Sequence, residues 1–381
     1  MIYMNNYLIG STPLLISLCL LWGCNNEDVS TSSVETEVVE LDEYESVIRL
    51  EDNVLANPYM VRYDSETNHL FIYDYGSNSI LEIDSAGEVI REFGGQGQGP
   101  GEVQGVNNFF LTSNHLYIID HLQFFIHQYD REANYLSTVE YDEPVFQTSG
   151  APPAPRPPFA LDSNNQPAVL NNGYLLLPSH TEEGQNLFEV STWDGTYIKH
   201  IGSLSDKAIS QMDSNAYAAL LDRGEVPPLD LHRAFIVEDR SNKDEYFLIY
   251  SSTPKLVKYH VSGQKLWERQ IPETSEVERL IRDHYDLFLN FGPNIREPLR
   301  KYVSGVSDPS GDLYLALYTN LHTPVDNRSL WIHQFSPTGE LKRRYRFKSD
   351  SDLLYFFDID FDERLIFILP FDEAELRAYA F

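Results

Sequence analysis

Residues 93–102 read FGGQGQGPGE, with glycine at 94, 95, 97, 99 and 101 around Pro100. Glycine-rich loops let backbone N–H groups approach an anion. Phosphate is the usual occupant when a helix start or a lysine completes the site. Neither is present. No register gives G-x-G-x-x-G, no Gly-Lys-Ser/Thr follows, and Pro100 fixes one φ inside the segment. A nucleotide site is not expected here. The 11 histidines are scattered, and none has His-x-x-x-His or His-Glu-x-x-His spacing. His121 and His127, with aromatic residues between them, read as packing or surface residues. No G-x-S-x-G nucleophile turn occurs. The 2 cysteines, Cys19 and Cys24, lie near the N-terminus and offer no zinc spacing.

The first of those cysteines falls in a leader and the second directly follows it. Residues 8–22 form an apolar run of signal-peptide length, too short to span a bilayer. It is followed by Leu21-Trp22-Gly23-Cys24, which resembles a bacterial lipobox. The resemblance implies a signal peptide over residues 1–23, cleavage before Cys24, and a lipid on Cys24. Residues 24–43 then read as an acidic tether. The pair Glu27-Asp28 resembles the surface-export signal of Bacteroidota lipoproteins. The expected address is the cell envelope, lipid-anchored at the outer membrane, facing the periplasm or the exterior. A net charge of −30 repels nucleic acid and anionic headgroups. Nucleic acid is therefore not an expected partner, and the membrane is met only through the lipid.

The elements that must position any site are strands. Apolar content is 42% and aromatic content 13%, enough for a large core rich in residues that favour strands. From Asn57 the chain breaks into four short strands, 59–63, 70–73, 79–83 and 89–93, separated by turn residues. The second is apolar at every position, as a strand buried on both faces is. The pattern recurs over residues 107–141, 167–202, 234–271 and 302–347. The final segment holds only three strands, and residues 44–50, YESVIRL, can supply the fourth. The expected fold is all-β: a six-bladed β-propeller of four-stranded antiparallel blades over residues 44–381, closed by an N-terminal strand, with short helical insertions.

The crossover Gly97-Gln98-Gly99-Pro100-Gly101-Glu102 resembles the glycine-proline element of NHL-type repeats. It is also similar to the G-x-G-P-G-E segment of six-bladed propeller lipoproteins of Bacteroidota. Some related propellers are lyases or lactonases that use carboxylates, Asn or His around a central channel, often with a divalent metal. The innermost strands here offer Arg62, Asn107, Asn108, Glu238 and Asp358 as channel candidates.

Long insertions fall after strands two and four of the blades, on one face: 143–166, 203–233, 272–301, 179–186 and 319–328. Turns after strands one and three are short. Long loops on a rigid scaffold usually carry function. Helical spacing predicts insertion helices around Ile209, Met212, Tyr217, Leu220 and Leu221, stopped by Gly224, and over residues 275–291. Candidate ligand contacts on this face are Arg156, His180, Arg223, His232, Arg233, Tyr285, Arg296, His322 and Arg328. Arginines in an acidic chain can pair with carboxylates of a glycan or peptide. The expected function is non-catalytic binding of a protein, peptide or glycan on the insertion face, by a protein whose soluble part is a monomer. One alternative is a channel hydrolase or lyase with a metal, and another is a structural subunit of an envelope complex. No cofactor is expected, and a divalent cation is compatible with the channel carboxylates.

Overall fold

Segments such as LFIYD and LYIID, without a polar position until their last residue, become strands with neighbours on both faces. The chain is described from a computed structural model, which describes residues 36–49, 55–142, 166–179, 186–205, 212–291, 299–318, 329–347, 356–369 and 375–381. They belong to one structural unit, Val34–Phe381. Cys24 and the signal segment lie outside the described residues.

Two strands precede the first blade, β1 (Glu37–Leu41) and β2 (Glu45–Arg49). Blade one is β3 (Pro58–Asp64), β4 (His69–Asp74), β5 (Ser79–Ile83) and β6 (Val89–Gly94). Blade two is β7 (Val106–Leu111), β8 (His115–Asp120), β9 (Phe125–Asp130) and β10 (Tyr135–Glu140). Blade three is β11 (Ala168–Val169), β12 (Leu175–Pro178), β13 (Asn186–Ser191) and β14 (Tyr197–Ser203). Blade four is β15 (Ala234–Glu238), β16 (Glu245–Tyr250), β17 (Lys255–His260) and β18 (Lys265–Gln270). Blade five is β19 (Tyr302–Ser307), β20 (Leu313–Leu317), β21 (Leu330–Phe335) and β22 (Leu341–Phe347). Blade six is β23 (Phe357–Asp360), β24 (Leu365–Ile368) and β25 (Glu375–Ala380), completed by β2.

This is the expected six-bladed propeller of antiparallel four-stranded sheets, and β2 pairs with β25 to close it. The first strands of the blades adjoin around the centre, as β3 does with β7 and β23. Second strands are buried almost throughout, because each lies between neighbouring blades. Outer strands such as β18 (KLWERQ) face solvent and carry the charge.

The stretch read as a tether is structured in part. β1 (EVVEL) adds a fifth strand to blade five, parallel to β22 (LKRRYRF). The three arginines of β22 explain the docking: Arg343 reaches Glu37 at 2.7 Å, Arg346 reaches Glu40 at 3.4 Å, and Arg344 donates to the Thr36 carbonyl at 3.0 Å. Exposed pairs of this kind contribute little singly. Leu41, buried at the end of the strand, and the backbone ladder contribute the rest. With β2 on blade six, the N-terminal segment bridges two consecutive blades.

Among the described residues two α-helices lie in the insertions, α1 (Ser214–Asp222) and α2 (Ser275–Phe291). The second has the expected bounds. The first begins only where Asp213 caps it, accepting from Asn215 N at 2.9 Å and Ala216 N at 3.2 Å. Ile209, which the expected helix included, lies outside the described residues. The start of α2 is fixed to blade five by Glu276. His333 Nε2 lies 2.8 Å from Glu276 Oε1, and His333 Nδ1 lies 2.9 Å from the Tyr302 hydroxyl. One neutral tautomer satisfies both contacts. Burial pushes the Glu276 carboxyl up, but its bonds with His333 and Thr274 prevail and hold it at about 2.

Candidate functional site

The glycine-rich crossover proves to be a self-satisfied loop. Val103 N donates to Gly95 O at 2.9 Å and Gly97 N to Val103 O at 3.0 Å. The N–H that an anion would seek, at Gly99, donates to the Glu102 carboxylate at 2.7 Å. A Cβ at Gly97 would lie 1.9 Å from Glu102 Oε2, so glycine is needed for that close approach. The Tyr129 hydroxyl donates to the Gly101 carbonyl beneath. The loop supplies its own carboxylate and seats blade two against blade one.

The insertion face is built around an ion pair turned inward. Asp230 is 1% exposed, and its carboxylate accepts from the Tyr217 hydroxyl (2.6 Å), Leu299 N (3.2 Å) and Arg233 Nε (3.3 Å). Burial pushes the Asp230 carboxyl up, and Arg233, Tyr217 and Leu299 oppose the shift. His232 and His284 are buried beside this pair, and burial pushes both imidazoles down to about 3, with Arg233 adding to the shift. Tyr285 is half-buried against Tyr217 and Leu221. Of the candidates among the described residues, Arg223 alone is exposed, and it pairs with Glu225 at 2.7 Å. Arg156, His180, Arg296, His322 and Arg328 lie outside the described residues. Where it is described, the insertion face spends its polar side chains on holding α1, α2 and blade four together.

The opposite face is different. A cavity of about 260 Å³ occupies the central channel, lined by the first strands of all six blades and by the short turns that follow them. Its volume suits a small molecule of about a dozen non-hydrogen atoms. Arg62 of β3 and Arg240, in the turn after β15, both line it. Arg240 crosses to blade six, where Nη2 lies 3.2 Å and 3.4 Å from the Asp358 oxygens. Asp358 is 0% exposed and also accepts from Tyr63 N at 3.0 Å and Ile359 N at 2.8 Å.

Arg62 has no such partner. Its guanidinium bonds only to neutral acceptors, and at long range: Asn108 Oδ1 (3.3 Å), Val61 O (3.4 Å) and Phe357 O (3.5 Å). Phe109 and Phe356 lie on either side, each 5.9 Å from ring centre to guanidinium carbon. Among the described residues no carboxylate forms an ion pair with it. Burial pulls its pKa down, Asp358 opposes this, and Arg240 adds to it.

Glu238, at the end of β15, takes Asn171 N (2.6 Å) and Asn171 Nδ2 (2.7 Å) on its two oxygens. Burial pushes its carboxyl to about 7, despite those bonds and Arg240. Ser304 of β19 is 3% exposed and lines the cavity, and its hydroxyl has no hydrogen-bond partner.

Five channel candidates are thus placed. Arg62, Asn108, Glu238 and Asp358 line the cavity, whereas Asn107 is buried outside it. Sequence reasoning missed Arg240, Asn171 and Ser304. The first two sit in short turns that read as plain connections, and the third in a strand with no charged neighbour. Among the described residues, no group of three His, Cys, Asp or Glu side chains is placed to hold a metal ion. The channel carboxylates are instead engaged by Arg240, by Asn171 and, for Asp64, by Arg131. No helix among the described residues is long and apolar enough to cross a membrane.

Comparison with known proteins accords with this fold. Residues 30–151 match the model of a family described as a 6-bladed beta-propeller. Comparison with the curated proteins gives no match. Among solved structures, similarity extends to a Bacteroides fragilis protein described as exported (12% identity, 90% of this chain and 98% of that chain, TM-score 0.48). A Bacteroides vulgatus member of the duf4221 family is similar over 89% of this chain and 94% of that chain, at 9% identity and TM-score 0.49. A Xanthomonas campestris gluconolactonase is similar over 86% of each chain, at 11% identity and TM-score 0.45. At these identities the likeness goes no further than the fold, which the sheet topology already establishes.

Proposed function

We propose that this propeller is an envelope lipoprotein, anchored through Cys24, that binds a small polar ligand in the mouth of its central channel without transforming it. The reading moves the binding site from the insertion face to the face of the short turns. One observation carries the move: Arg62 is a guanidinium in a channel cavity with only neutral, distant acceptors. A partly desolvated cation is costly unless something pairs with it. Several buried cations among the described residues have carboxylates, as Arg233 has Asp230, Lys258 has Asp239 and Lys301 has Glu273. A binding role is favoured over catalysis because both Glu238 oxygens are held by Asn171 and Asp358 is committed to Arg240.

The lipid anchor rests on Leu21-Trp22-Gly23-Cys24 and on the acidic residues after it. A Cys24→Ser chain carried by a cleavable secretory leader in place of residues 1–23 is expected to leave the membrane fraction for the soluble one, and retention in the membrane would refute the anchor. The site is tested by a small-molecule thermal-shift screen of that soluble chain. A ligand at 100 times its dissociation constant adds about 2.7 kcal/mol of stability. Hits that disappear in Arg62→Met support the channel mouth. Hits that persist in it place binding elsewhere.

A further inference from the structure

Resting on the channel-mouth reading, we infer that the ligand is a small monocarboxylate, bound with its carboxylate on Arg62 and Ser304. The argument is one of unmet bonding capacity. A guanidinium carries five N–H donors in a planar fork that matches a carboxylate. Arg62 uses three contacts, all at 3.3–3.5 Å and all to neutral oxygens. Asp358, the carboxylate whose charge acts on Arg62, is already taken by Arg240 and two backbone N–H groups. The Ser304 hydroxyl, buried and without a partner, lines the same cavity from another blade and can donate to an arriving oxygen. Phe109 and Phe356 flank the guanidinium and limit how far it can turn away.

The rim sets the upper limit on ligand charge. Glu66 and Asp362 line the cavity at its exposed edge. A second negative charge on the ligand would sit near these carboxylates, and the whole chain adds a net charge of −30. A phosphate dianion is therefore disfavoured against a monocarboxylate, although the guanidinium alone would accept either.

The test titrates the full Cys24→Ser chain, labelled at its arginine side chains, with four probes at constant ionic strength: acetate, inorganic phosphate, methylammonium and erythritol. The Arg62 Nε–H signal is identified by its loss in Arg62→Met. Acetate is expected to shift that signal saturably, with a dissociation constant of about 1–10 mM for so small a fragment. Phosphate is expected to bind about tenfold more weakly. Ser304→Ala is expected to weaken acetate by about 3- to 10-fold while the melting temperature holds. If Arg62→Met fails to fold, Arg62→Lys serves for identification. Saturation by erythritol or methylammonium but not acetate would overturn the carboxylate inference and leave the channel site standing. Phosphate binding as tightly as acetate would overturn the monoanion preference. No saturable shift at Arg62 or the other channel groups with any probe would overturn both the inference and the site.

Discussion

Two arginines show how differently the two ends of this propeller use charge. Arg233, on the insertion side, is 4% exposed and held by Asp230, which Tyr217 and Leu299 N also bind. Arg62, in the channel, is surrounded by neutral acceptors and aromatic rings. The first cation completes a structural network that joins α1, α2 and blade four. The second adds desolvation cost to the fold without a direct ionic partner. A buried ion that the fold compensates is there for the fold. One that the fold leaves without a direct ion pair, with only the Asp358 charge nearby, points to something that arrives later.

Breaking the structural pair should produce the largest effect. Arg233→Met strands Asp230, and the expected loss is about 3 kcal/mol in urea unfolding. This is at the low end for a buried pair, because Tyr217 and Leu299 still bond to Asp230 and its raised pKa eases protonation. Asp358→Ala should follow, at about 2–3 kcal/mol, by orphaning the Tyr63 and Ile359 N–H groups. Its partner Arg240 has a 33% exposed side chain and can turn to water, so the residual charge is cheaper to leave than Asp230 would be.

pH should separate the ends by sign. Glu238 has its folded pKa raised from 4.5 to about 7, so the folded state holds its proton longer than the unfolded chain does. Its contribution is full below pH 4.5 and is lost as pH rises to 7. His232 and His284, lowered from 6.5 to about 3, behave oppositely and lose stability as pH falls through that window. Glu238→Gln should therefore flatten the decline between pH 5 and pH 8 by about 1–2 kcal/mol, discounted because the residue is only half-buried. An unchanged slope in pH-resolved urea unfolding would remove Glu238 from the account.

Much of the architecture could be read from residue types. The doubly buried second strands have an unbroken apolar run, and the missing strand of blade six is announced by a segment of matching pattern before blade one. β1 was harder to see, because EVVEL is acidic and resembles a solvated tether until it meets Arg343, Arg344 and Arg346 three hundred residues later. The site was half legible. Arg62, Asn108, Glu238 and Asp358 could be placed on inner strands by blade periodicity alone. Whether a polar side chain is already satisfied is a three-dimensional property. No spacing distinguishes Arg233, which has its carboxylate, from Arg62, which does not. Loop length also pointed the other way, because the longest insertions carry the structural network and the shortest turns border the cavity.

The most direct test of the central claim is urea unfolding of Arg62→Met beside the unmodified chain. If Arg62 is retained for a ligand, exchanging it for an apolar side chain of similar length should change stability by no more than about 1 kcal/mol, and can raise it. A loss of about 3 kcal/mol, matching Arg233→Met, would contradict the account and make Arg62 a structural pin between blades one, two and six.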